Sequence, residues 1–362
     1  ILKIPFINTA YKLISSEHMK KVLYLGKYRL GFSTGRNSYF FVKIKIIFAA
    51  IYQGKITVKK IWNAIVCNLS FYFKTQKSGK SPIIISVDLW NECNENCVFC
   101  RGSDGKIYDL NSNKEDSFIP KIKLDVKYFK QAVDAFKENL LMIIPYVNGE
   151  PLMHKDIYEA INYANKNKLL TLIASNGILL NNNNSEKLIE AGLDFLKVHI
   201  SGYTNPIHQI QHRKGNVDLI LKNLENIVKT KHDKKSNIMI MLDYILYNHN
   251  RHEVNLAKQF SDNLGILFNV RPGNPKFMED TENVQNTTNF DFRRACDWPW
   301  KALTLDCNRN INPCCEYSVF SSKTPYQKIE DSTDLAKLWT GQSVINFRKE
   351  HAKNGRVNLD VC

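Results

Sequence analysis

No stretch of the chain reaches the roughly 18 uninterrupted apolar residues that a membrane-crossing helix needs. The nearest candidate, Tyr39 to Tyr52, is interrupted by Lys43 and Lys45. A secretory signal of the usual form is also missing, and the first residue is Ile1 rather than methionine, so the natural start is expected upstream. No self-similarity recurs at a period of about 20–50 residues, which excludes solenoids and propellers. Acidic residues are nearly absent from the first 80 positions, where Glu17 stands alone against 15 lysines and arginines.

What remains is a globular chain of 362 residues, 44% hydrophobic and 23% charged, long enough to bury a large core without disulfides. Its net charge of +15 lies almost wholly in residues 1–80, which carry +14. Such an arm suits a polyanion or an anionic membrane surface. We expect it to be basic, amphipathic and helical: one helix over residues 37–53, a second from an N-capping Thr57 to about Tyr72, then a linker at Lys77–Pro82. The nine cysteines are odd in number and irregularly spaced, which points to metal-binding or catalytic thiols in a reducing, cytoplasmic compartment.

From residue 81 to 272 strands and helices alternate. Strands are expected at 83–89, 141–147, 169–174, 195–200, 238–246 and 266–271, with helices at 125–139, 156–166, 186–191, 217–231 and 253–263. Six such units predict a parallel α/β sheet, a partial (β/α)6 barrel whose functional residues sit at the C-terminal strand ends. The tract Asn181–Asn184 reads as a loop tip. Residues 273–295 read as a polar linker, and 296–362 as a small α+β module.

The sharpest motif, Cys93-Asn94-Glu95-Asn96-Cys97-Val98-Phe99-Cys100, follows the first of these strands. Three thiolates in one tight loop can grip three irons of a cubane cluster and leave the fourth without a protein ligand. Zinc stays open at this point, although structural zinc prefers four protein ligands. The spacing resembles the C-x3-C-x-aromatic-C signature of radical S-adenosylmethionine (SAM) enzymes, with Phe99 in the aromatic slot. That resemblance implies a 4Fe–4S cluster on Cys93, Cys97 and Cys100 and the same partial barrel. It also implies SAM as cosubstrate, cleaved to a 5′-deoxyadenosyl radical, and an electron donor of flavodoxin or ferredoxin type.

Further matches follow. Asn148-Gly149-Glu150-Pro151 looks like the family's G-G-E-P motif with Asn in place of the first Gly, and implies a site for the SAM amino group. Ser175-Asn176-Gly177 looks like its T-N-G. Ser201-Gly202 resembles its S-x-D-G turn without the Asp. His208 and Arg213 come next, Arg213 as a candidate for the SAM carboxylate one residue out of register. Cys296, Cys314 and Cys362 resemble a SPASM/Twitch extension with one auxiliary Fe–S cluster, in which Cys315 is an alternative to Cys314 and Asp297 a candidate proton acceptor. That motif is expected to run past residue 362. Cys67 and Cys307 read as small buried residues.

A family resemblance does not name a substrate. A peptide or protein to be oxidised or crosslinked is one candidate. A carbohydrate or lipid-linked intermediate, met at the inner membrane face through residues 1–80, is another. The opposing reading is a non-catalytic zinc- or RNA-binding protein, with nucleic acid the less favoured partner.

Overall fold

A computed structural model describes residues 22–25, 28–31, 48, 50–98, 100, 121–273, 295–315 and 326–355. Near the N-terminus, β1 (Val22–Leu25) and β2 (Tyr28–Gly31) pair as an antiparallel ribbon that the weak periodicity of this region did not reveal. Helix α1 (Val58–Tyr72) starts where expected, with the Thr57 hydroxyl accepting from the Lys60 amide. Of the helix expected over 37–53, only its end lies within the described residues.

The barrel unit follows as β3 (Ile84–Val87), α2 (Val126–Phe136), β4 (Met142–Ile144), α3 (Ile157–Lys166), β5 (Leu170–Ser175), α4 (Asn182–Ala191) and β6 (Phe195–Ile200). It continues through α5 (Asn205–Gln211), α6 (Val217–Asp233), β7 (Met239–Leu246), α7 (Val254–Leu264) and β8 (Leu267–Pro272). Strands β3 to β8 lie in sequence order and every adjacent pair is parallel, which is the open six-unit arrangement expected. The Asn181–Asn184 tract is not a loop tip. Asn181 caps α4 by accepting from the Asn184 amide, an N-terminus hidden by the lack of apolar periodicity. Helix α5 is a further addition; it is short and has Pro206 in its first turn, a residue that from sequence reads as a turn.

Alternation along the strands sorts side chains onto two faces. Leu196, Val198 and Ile200 of β6 pack with Ile220, Leu224 and Ile227 of α6 in the main core. Phe195 and Met241 occupy the other face, with Leu172, Met239 and Leu267 packed against them, all from strands.

The C-terminal segment builds onto the same sheet. After α8 (Trp298–Lys301), β9 (Ala302–Leu305) runs parallel to β3, with Ile84 opposite Ala302. Strands β10 (Asn310–Asn312) and β11 (Gln327–Lys328) continue antiparallel beyond it, followed by α9 (Leu335–Trp339) and α10 (Gln342–Asn354). The segment Lys77–Pro82, read as a linker, is fastened: Ser78 Oγ donates to Trp300 O at 2.7 Å and Trp339 Nε1 donates to Gly79 O at 2.8 Å, while just before it Thr75 O accepts from Trp300 Nε1 at 2.7 Å. Cys67 is fully buried and Cys307 nearly so. No helix among the described residues is long and apolar enough to cross a membrane.

One buried ion pair ties the N-terminal region to the barrel. Lys55 Nζ lies 2.6 Å from Asp194, whose Oδ2 also accepts from the Thr171 amide at 2.8 Å. Burial lowers the Lys55 pKa and the Asp194 charge opposes it. Asp194→Ala leaves that ammonium buried without its counter-charge, so urea unfolding should show a loss of about 3–5 kcal/mol. A Lys55→Met, Asp194→Leu double variant should recover most of it.

Candidate functional site

The cysteine loop leaves β3 at its C-terminal end and is held on three sides. Asp88, fully buried, receives the Asn148 backbone amide at 3.0 Å and its side-chain amide at 2.8 Å. Gly149 has φ +70°, and a Cβ there would meet Glu92 O at 2.4 Å and Trp90 O at 2.7 Å, so only glycine lets the two backbones touch. The Glu150 amide donates to Glu92 O at 2.8 Å. On the second side, the Asn176 side-chain amide donates to Asn94 Oδ1 at 2.7 Å, with Cys93 Sγ 3.8 Å away. On the third, Val98 N donates to Gln211 O at 2.9 Å and Cys97 forms a bridge with His212.

His212 is the hub of this third side. Its Nδ1 lies 2.9 Å from Glu95 Oε2 and 3.2 Å from Cys97 Sγ, and its Nε2 lies 3.1 Å from Ser201 Oγ. The network assigns the proton to Nδ1, donating to the carboxylate, while the Ser201 hydroxyl donates to Nε2. His208 stacks on His212 with ring centroids 4.4 Å apart and planes 3° from parallel. Glu95, His208 and His212 bring ligand-type atoms within 4.8 Å of one another. One ion cannot lie in two parallel stacked ring planes, so the trio supports the loop and does not chelate. Burial pushes the His208 imidazole down to about 2 and keeps it neutral.

Glu150 is buried and already engaged. Oε1 accepts from Ser175 Oγ at 2.8 Å and Leu152 N at 3.1 Å, and Oε2 accepts from Asn176 N at 2.8 Å. Burial pushes its carboxyl up to about 7, and Asp88 likewise, against the pull of these donors. Its role in this structure is to tie the end of β5 to the 148–150 turn. Ser175 is taken up by the same contact and by the Gly177 amide. Ser201 is fully buried, its carbonyl accepting from Asn250 Nδ2 at 3.0 Å. Arg213 is exposed at the rim.

The cysteines differ in setting. Cys97 is buried, Cys93 half-buried and Cys100 exposed. Burial raises the Cys93 and Cys97 thiols, with Glu150 adding to it at Cys93 and Glu95 at Cys97, and neighbouring cysteines repelling further. Three soft sulfur donors, two of them resisting ionisation beside carboxylates, fit a polycationic iron–sulfur core, which would supply the missing positive charge. Phe99 and Cys362 lie outside the described residues. In the C-terminal segment, Cys296 N donates to His351 Nε2 at 2.9 Å, Cys314 and Cys315 are half-buried just after β10, and Asp297 is ion-paired to Lys301 at 2.8 Å.

Sequence reasoning missed the roles of Asp88 and His212, which lie outside the spaced motifs, and of Asn94 and Glu95, which fill variable positions of the cysteine motif. It also missed a charged group sharing a face with Phe195 and Met241. There Asp243 of β7, fully buried, lies 3.1 Å from Lys197 and from His199 of β6 and 2.8 Å from Arg271 of β8. Burial would raise the Asp243 carboxyl, but these partners hold it well below the usual range. Burial lowers His199 to about 4, so the group carries two cations on one carboxylate.

Comparison with known proteins agrees with this geometry. The model of the radical SAM superfamily matches residues 87–246. Over 150 residues the chain is 27% identical to the Fe-coproporphyrin III synthase of Methanosarcina barkeri, covering 41% of this chain and 34% of that protein. Over 149 residues it is 26% identical to the mycofactocin maturase MftC of Mycolicibacterium smegmatis, with the same two coverages. The matched stretch thus spans about a third of these relatives' length. Among solved structures, Streptococcus suis SuiB shares the fold at a TM-score of 0.54 and 13% identity, over 75% of this chain and 68% of that one. Residues 87–246 are therefore similar to the domain of the radical SAM superfamily, whose members use a 4Fe–4S cluster and S-adenosylmethionine.

Proposed function

We propose that the protein is a radical SAM enzyme that cleaves SAM reductively and removes a hydrogen atom from a peptide substrate. The observation that carries this reading is the three-cysteine loop, set at the C-terminal end of the first barrel strand and clamped by the 148–150 turn, Asn176 and His212. Cys93, Cys97 and Cys100 would hold the 4Fe–4S cluster, which would supply the one-electron reduction that SAM cleavage requires. The chain's own part is to fix three thiolates, to hold Cys97 against His212 and Glu95, and to keep water from buried Glu150 and Asp88. Lys197 and Arg271, in excess over Asp243, suit a carboxylate of SAM or of the substrate.

A peptide substrate is supported by the maturase relative and by the SuiB fold, which is known in a form bound to its precursor peptide SuiA. Cys296, Cys314 and Cys362 would hold an auxiliary cluster able to accept the electron left on an oxidised peptide. A carbohydrate or lipid-linked substrate is the second reading, favoured by the outward apolar surface of α1.

With dithionite and SAM under strict anaerobiosis, the reconstituted protein should release 5′-deoxyadenosine, and Cys97→Ala should release none while losing the SAM-perturbed cubane spin signal. A Cys97→Ala variant with full release contradicts the assignment. Gly149→Ala drives a Cβ into Glu92 O and Trp90 O, so its iron content and release rate should fall together, by about tenfold or more in rate. Peptides encoded beside the gene should lose two hydrogens by mass spectrometry if the substrate reading holds, and remain unchanged if it does not.

A further inference from the structure

Helix α1 is turned inside out for a helix in water. Its buried side is polar: Lys60 Nζ donates to Lys55 O at 3.2 Å and to Lys168 O at 2.5 Å, and Asn63 Nδ2 donates to Ser81 O at 3.0 Å and Asn139 O at 3.3 Å. Cys67 and Ser70 complete that side. Its outward side is apolar. Val58, Ile61, Trp62, Ile65, Leu69 and Tyr72 follow helical spacing along one stripe and are all exposed, Val58 to 83% and Trp62 to 66%. Phe73 extends the stripe, and the turn at Phe48, Ile51 and Tyr52 adds to it, with Tyr52 85% exposed. Solvent selects the reverse arrangement, and a contiguous apolar surface of this kind marks a docking face.

Charge identifies what docks. Residues 48–80 hold six lysines and no acidic residue; Lys74, Lys77 and Lys80 are exposed, and Lys59, also exposed, is paired with Glu138 at 3.0 Å. A second copy of the chain meeting this face about a two-fold axis would set these lysines against their own equivalents, with no acid in residues 48–80 to pair them. Residues 1–47 carry nine basic residues and one acid, so they offer this face no complementary charge. An anionic lipid surface satisfies both requirements, taking the apolar stripe into its acyl boundary and the lysines at its headgroups. Tryptophan and tyrosine are the residues that favour that boundary. Fifteen residues span about 22 Å as a helix, too short to cross a hydrocarbon core of about 30 Å, so α1 lies in the surface plane.

We propose that α1 and the turn before it form an interfacial docking face for an anionic membrane surface. The inference stands apart from the chemistry of the cysteine loop and uses no bound cofactor. The full chain should float with phosphatidylcholine vesicles containing phosphatidylserine, float far less with phosphatidylcholine alone, and be released by high salt. Trp62→Glu with Leu69→Glu should lower partition onto the anionic vesicles by about tenfold or more while leaving the unfolding midpoint unchanged, since both side chains are already exposed. Should that pair unfold the protein, Lys74→Gln with Lys77→Gln reads the same face through a reduced salt dependence. Equal flotation of wild type and the folded Glu pair overturns the proposal. So does a wild-type dimer in sedimentation that the Glu pair converts to monomer, because the face is then a subunit contact.

Discussion

The hydrogen bonds that hold the Cys93–Cys97 loop against His212 and the 148–150 turn govern the rest of the molecule. The loop places ionisable sulfurs beside two buried carboxylates, Glu95 and Glu150, an arrangement that burial penalises on every count. It keeps its shape because each flank is fastened to a different strand end, to Asp88 and Asn148 at β3 and β4, to Asn176 at β5, and to Ser201 through His212 at β6. The parallel sheet delivers all these ends to one rim, so the topology and the site are a single arrangement.

Much of the barrel was legible because each strand is a short β-rich apolar run and each helix between them has its own periodicity. The six expected strands appear in order, and Thr57 caps α1 as its chemistry indicates. What escaped had no period to show. Asn181–Asn184 looked like a polar loop because α4 begins with three asparagines, and the β1–β2 ribbon is only four residues a side. At the site, the residues with fixed spacing were visible and their supports were not. His212 matters because Ser201 and Glu95 converge on it from opposite sides, and that convergence exists only after folding. The same holds for Asp243, whose partners lie on three strands.

Glycine and asparagine show how far a motif reading can be right in place and different in detail. Gly149 permits a close approach, and the backbone it approaches is the lead into the cysteine loop. Asn148, standing where the motif has glycine, spends its side chain on Asp88. The departure from the family pattern thus adds a fastening between β3 and β4.

Strand β9 lies beside β3, and the Asp88 amide completes the ladder by donating to Leu305 O at 2.7 Å. During synthesis the chain emerges N-terminus first, so the strand leading to the cysteine loop stays one-sided until its distant neighbour leaves the ribosome. An exposed strand edge is a hazard for misassembly over that interval. Closure of the edge beside the cysteine loop is accordingly a late event of chain elongation, and shortening the polypeptide ahead of Ala302 would leave that edge open for good.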